Sequence, residues 1–472
     1  MSANKRAAPT QAASTPAKTP RHETFEPGVH VIFLGVSRYK DIGEEGHDAR
    51  IPCDPAASSF EAGDVLGSLT PERLQQLEDS LGPGLVSNIG PKKKQENGLA
   101  DLAGRIAKLQ KSKTKLIEPQ WNERLVLLHQ QIVTVLWAER SQRMTIEYRT
   151  LEWIEGLIKQ GANSLADHVF EYSRPVLFYI PLQRHDWTVH PHVRDLYEAL
   201  DALQASRSDI SVFPNYHENW NYGYKAADIM ALDTIARDES TPETYRHRPK
   251  TCLGIGACTL AELQGPQFVR FGFGDRDDYI QYDANPEDNE YVHSQPNTQG
   301  FANRRVFHQQ FFPPFSEWGH IRVLMIDDQI IARGFSSRNQ QTKQFNTSAL
   351  RHDCHFDFRA AGLRHPNTDQ RVTERQEAKL EELNNFCKWW QQQLKTQYPD
   401  LFESLDVGCV MRVGLSEASL DGKFFIIDIQ RWYASSFCSM DLVGKPFDQL
   451  CRAFGEQFAR VHGSFAKYLP GN

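Results

Sequence analysis

The sequence predicts an α/β fold, and three stretches predict it. Pro175-Val-Leu-Phe-Tyr-Ile-Pro181 is a short apolar strand, followed by a helical stripe over roughly 191–205 (Val193, Leu196, Tyr197, Leu200, Leu203) and a second strand, Ile210-Ser-Val-Phe213. Strand, helix and strand at these lengths make a small parallel unit. The second stretch, 306–333, reads as strand, Pro-rich loop, strand Ile321–Ile326, Asp-Asp turn and strand Gln329–Arg333, an antiparallel meander. The third, Arg412 to Trp432, reads as a hairpin turning at Asp421-Gly422.

At 472 residues the chain has material for two or three domains with cores of their own. A formal net charge of −7 argues against nucleic acid or an anionic membrane surface as partner. No apolar run reaches the length of a membrane span. The eight cysteines are scattered, without C-x-x-C pairs and mostly among apolar neighbours, as expected for reduced thiols in a cytoplasmic protein.

Residues 1–24 read as a disordered tail: Ala, Pro, Thr and Ser dominate, with no apolar segment for a secretory signal. Residues 25–170 form an N-terminal region. It opens with a buried strand followed by a Gly turn, Val29-His-Val-Ile-Phe-Leu-Gly35, and carries a helical insertion over 71–160, where Leu74, Leu77 and Leu81, then Leu125, Leu128, Ile132, Val135 and Leu136, recur at helical spacing. The charged break at Lys92–Lys94 should be an exposed loop. Residues 171–245 make the small parallel unit, which ends in a helix from about Tyr224 to Arg237. The remainder, 246–472, holds the meander, a long helix from Thr373 to about Tyr398, the strand Val407–Leu415, the hairpin and a closing amphipathic helix over 447–466.

Several residues in this order suit phosphate chemistry. Gln267-Phe-Val-Arg-Phe-Gly-Phe-Gly274 is a strand running into a glycine loop; Gly272 and Gly274 would let backbone N–H groups approach phosphate oxygens, and Arg270 can make bidentate contacts. Arg322 should share a strand face with Leu324 and Ile326. On the last strand Asp428 and Gln430 share a face, and an acid with a carboxamide two residues on supplies oxygen ligands for a hard cation.

The series resembles the ATP-grasp superfamily over roughly 175–466. Phe213-Pro-Asn-Tyr216, Lys225 and Thr241-Pro-Glu-Thr244 look like the small domain that precedes the nucleotide domains in that superfamily. Asp-Gly-x-(apolar)4-Asp-x-Gln resembles its last strand pair. The resemblance implies that Lys225, Arg270, Gly272, Gly274, Gln309 and Gln310 bind ATP, that Asp428 and Gln430 hold Mg²⁺, and that Arg322 and Arg333 stabilise the transferring phosphoryl group. It implies an ATP-dependent ligase joining a carboxylate to an amine through an acyl phosphate, with a small-molecule or peptide substrate. The chain departs from the pattern at four positions: Asp428 for Glu, Gln430 for Asn, Arg270 for Lys, and Gly414 where the first metal acid is expected. Two alternatives therefore stay open: a nucleotide-binding pseudoenzyme, and a non-catalytic protein that binds a protein partner through the 71–160 helices.

Overall fold

The computed structural model describes residues 28–35, 50–53, 65, 68–81, 86–89, 125–181, 193–222, 225–253, 260, 267–271, 306–312, 314, 319–338, 345–351, 370–417, 419–434 and 445–464. Over these the chain is mixed α/β, with one parallel and three antiparallel sheets.

The parallel sheet runs in the order β5 (Met144–Thr150), β1 (Val29–Gly35), β6 (Val176–Tyr179) and β7 (Ile210–Phe213). Every residue of β1 is buried, which is why it reads as one apolar run: an inner parallel strand has both faces covered. β1 and β5 come from the N-terminal region, whereas β6 and β7 come from the small unit, so a boundary at 170 cuts through one sheet. Met144-Thr-Ile-Glu-Tyr-Arg-Thr150 alternates polar and apolar residues at the sheet's edge, and its neighbours' helical pattern hides it in the sequence.

The 71–160 segment is not wholly helical. Leu125–His129, expected to be helix, is strand β4, between β2 (Arg50–Cys53) and β3 (Val86–Ile89) in a three-stranded antiparallel sheet. A run as short as Leu-Val-Leu-Leu-His satisfies either period, so periodicity alone does not decide it. The described helices here are α1 (Pro71–Leu81), which buries Leu74, Leu77 and Leu81, then α2 (Gln130–Arg140) and α3 (Leu151–Gln160). The Lys92–Lys94 loop lies outside the described residues.

α4 (Ala162–Phe170), α5 (Val193–Ser206), α6 (Tyr216–Tyr222) and α7 (Lys225–Arg237) follow. Next come the small antiparallel sheet β8 (Thr251–Cys252), β10 (Val306–Gln310), β9 (Gln267–Phe271) and a five-stranded antiparallel sheet. The latter has the order β13 (Phe345–Arg351), β12 (Gln329–Arg338), β11 (His320–Ile326), β14 (Gly408–Leu415), β15 (Phe424–Arg431). α8 (Gln370–Gln397) precedes β14, and α9 (Lys445–His462) is the last described element.

The five-stranded sheet has two different faces, and they position the site. On one, Ile321, Val323, Met325, Met411, Val413, Phe424, Ile426 and Ile429 pack against Leu383, Phe386 and Trp390 of α8 and Leu232 and Ile235 of α7. On the other, Leu324, Ile326, Ala332 and Val410 join Phe454 and Phe458 of α9 in the core shared with the parallel sheet. Further along that second face the residues turn polar.

Candidate functional site: a cationic row on the five-stranded sheet

Register sets the site. Arg322 on β11 pairs with Arg412 on β14, and Arg412 with Asp428 on β15. Directly opposed residues of antiparallel strands project to one face, so these three side chains form a row. The next row along is Leu324, Val410 and Gln430.

A bulge puts Asp428 there. Arg412 pairs with Asp428 but Val413 with Ile426, so Ile427 is the extra residue. Regular alternation would place Asp428 on the face of Phe424 and Ile426, among the apolar residues under α8. The bulge reverses the phase, and the carboxylate faces the polar side.

Asp428 is already paired. Lys225 Nζ, at the start of α7, lies 2.9 Å from Asp428 Oδ1, with side-chain exposures of 5% and 4%. Arg322 Nη2 donates to Gln430 Oε1 at 3.3 Å. Arg412 is half-buried, and its Nε is buried with no hydrogen-bond partner among the described residues. Arg412 was not singled out from the sequence; its register against both Arg322 and Asp428 is the signal, and that register appears only in the fold.

Behind the strand lies a second buried network. Arg431 donates from Nη1 and Nη2 to Asp228 at 2.7 and 2.8 Å and from Nε to Glu218 Oε1 at 3.0 Å. Glu218 also accepts from the Ser404 backbone N–H at 2.8 Å. Two carboxylates share one guanidinium here. Burial pushes Glu218 up to about 7, against the opposing pull of Arg431, and also raises Asp228.

An aromatic wall stands beside the row. Phe425 faces Gly414, and a Cβ on Gly414 would lie 2.5 Å from Phe425 Cζ. The Phe425 ring is 4.9 Å from that of Phe312, and His247 lies 5.3 Å from Phe312. Burial, with Lys423 and Arg248 nearby, lowers the His247 pKa, so its imidazole is neutral at pH 7; its Nε2 is buried without a partner among the described residues. Phe312 follows β10 by two residues, so this wall ties the small sheet to the large one.

The other expected site residues fall as follows. Gln309 donates to Thr251 Oγ1 at 2.8 Å, and the Gln310 backbone N–H donates to Lys250 O at 2.8 Å. Arg270 lies on β9 opposite Phe307. Gly272 and Gly274 lie outside the described residues. Arg333 does not join Arg322. It pairs with Val323, on the α8 side of the sheet, and donates from Nη2 to Asn384 Oδ1 at 2.6 Å. One step of strand alternation separates the two arginines' faces, and the intervening turn and bulge fix that step beyond what spacing shows.

As placed, these residues do not make a Mg²⁺ shell. Asp428 is held by Lys225 and Gln430 by Arg322, while Gly414 offers no donor and has a phenyl ring over it. Among the described residues, no group of three or more His, Cys, Asp or Glu is arranged to hold a metal ion. Nor is any described helix long and apolar enough to cross a membrane.

No known family's sequence profile matches the chain, and no curated protein matches it. Among solved structures it is similar to the ATP-grasp ligase PsnB complexed with minimal precursor, Mg and ADP: 13% identity, 60% of this chain and 77% of that one, TM-score 0.32. It is also similar to the D-cycloserine synthetase DcsG, at 10% identity over 69% of this chain and 94% of that one, TM-score 0.39. A third is D-alanine–D-alanine ligase from Bacillus anthracis complexed with ATP, at 11% identity over 70% and 94%, TM-score 0.36.

Proposed function

We propose that this chain is an ATP-grasp-like protein that binds an adenine nucleotide between the small sheet and the cationic row. The observation that supports this most directly is the line Arg322–Arg412–Asp428 with Lys225 at its end: two arginines on one sheet face and the ammonium of α7 against it, beside a wall of Phe312, Phe425 and neutral His247. Guanidinium groups bind phosphate oxygens bidentately, and an aromatic slot suits a purine. Two buried polar atoms, Arg412 Nε and His247 Nε2, are the kind of orphan a bound ligand satisfies.

The reaction such a cleft serves is ligation of a carboxylate to an amine through an acyl phosphate. Arg322 and Arg412 would stabilise charge on the transferring phosphoryl group, and the protein's contribution would be positioning. A nucleotide-binding pseudoenzyme is the second reading, favoured by the ring over Gly414 and the Lys225–Asp428 pair. Against the interaction-protein reading, Leu74, Leu77, Leu81, Ile132 and Val135, the apolar stripes of the described 71–160 helices, are buried in the main core.

Titration with ATP tests the proposal. At a hundredfold excess over Kd, binding should stabilise the fold by about 2.7 kcal/mol. An unchanged melting temperature in millimolar ATP sinks it. Phosphate release on adding candidate carboxylates and amines separates the ligase from the pseudoenzyme.

A further inference from the structure

We infer that Lys225 stands in for a metal ion, so that the cleft binds its anionic ligand directly on Lys225, Arg322 and Arg412 without a divalent cation. This rests on the reading of the cleft as a nucleotide phosphate site, and it specifies how the phosphates are held.

Three observations carry it. The carboxylate best placed for a metal already holds an ammonium at 2.9 Å, and both groups are at least nine-tenths buried. The carboxamide beside it is bonded to a guanidinium through its oxygen, the atom a metal would need. The position where a second acid would complete the shell is Gly414, and the Phe425 ring occupies the space its side chain would need. Among the described residues, the groups named on this face are three cations and one carboxylate, with Asp228, held by Arg431, also close enough to act on Lys225 and Asp428. A divalent cation would enter against that surplus, whereas a polyphosphate would be drawn to it. A lysine anchored in this way is a fixed point charge: it supplies the attraction of a bound ion without the coordination geometry Mg²⁺ demands.

The test measures dissociation constants of ATP and of inorganic tripolyphosphate for the wild-type chain, each with millimolar Mg²⁺ and with EDTA. The expected result is binding of both in EDTA, with Mg²⁺ leaving affinity unchanged or weakening it, because millimolar Mg²⁺ complexes the polyphosphate and reduces its charge. Mg²⁺-indifferent binding of tripolyphosphate with no preference for ATP supports the inference and removes the adenine reading. Tightening by about tenfold or more on adding Mg²⁺ overturns the inference and leaves nucleotide binding intact. Failure of both ligands to bind under either condition overturns both. Two variants probe the mechanism. Arg412→Gln should weaken both ligands equally with and without metal. Lys225→Met, which frees Asp428, should weaken binding in EDTA and acquire a Mg²⁺ response. A folded Lys225→Met protein that still ignores Mg²⁺ and binds as wild type would show that Lys225 has no such role.

Discussion

Replacing Arg431 with Met should destabilise the fold strongly, and by an amount that depends on pH. Arg431 is fully buried, as is Glu218, and Asp228 is 3% exposed. Its guanidinium also donates to Leu401 O and Ile429 O and lies 4.3 Å from the centre of the Phe402 ring. Removing one member of such a group leaves uncompensated buried charge, which costs about 3–5 kcal/mol. The sign with pH follows from the acids. Burial already raises Glu218 to about 7 and raises Asp228, and loss of the arginine pushes both higher. An acid whose folded pKa lies above its unfolded one contributes most below the unfolded value, and that contribution fades as pH rises through the folded value. At pH 8 the variant should therefore show the whole penalty. At pH 5 both carboxyls can hold protons, and about 1–2 kcal/mol should remain for the lost hydrogen bonds and ring contact. Urea unfolding of both proteins at the two pH values measures this. Packing changes do not titrate, so the difference between pH values isolates the charges. An equal loss at pH 5 and pH 8 would refute the account of two carboxylates sharing one cation.

Other expectations are simpler. Gly455→Ala should destabilise by about 1–3 kcal/mol, read as a lowered urea midpoint, because its Cβ would lie 2.3 Å from Thr134 O where α9 crosses α2. Gly414→Asp should lower the melting temperature and confer no Mg²⁺ binding by calorimetry, since the new side chain meets Phe425. Cys387 and Cys409 are buried, with the Cys409 thiol pushed up to about 12 by burial, so a thiol reagent should label them only when urea unfolds the chain.

The sequence made the elements that bury one apolar stripe or run plain. Ile210–Phe213 matches the observed strand residue for residue, the strand from Val29 runs on through Gly35, where a turn was expected, and the long helix before β14 lies within a few residues of its expected ends. Elements whose pattern fits two periods were not legible: β4 reads as helix, and β5 vanishes between helices. At the site, the shared face of Asp428 and Gln430 follows from strand alternation alone. What holds them does not, because Lys225 is 203 residues from Asp428 in sequence and Arg322 is 108 from Gln430. The face on which Arg333 lands was equally hidden, since it depends on how β12 pairs with β11.

One turn of α7 ties the two sides of β15 together. Lys225 reaches to the side of Arg322 and Arg412, and Asp228, three residues on, reaches to the α8 side. An anion bound on Lys225 would therefore load the same turn of α7 that clamps Arg431 in the core. Occupancy of the proposed anion site would then be coupled to a region the ligand never touches. The amide hydrogens of α7 are a natural gauge of it: their exchange rates should change as the cleft fills, while those of β1, deep in the other sheet, stay as they were.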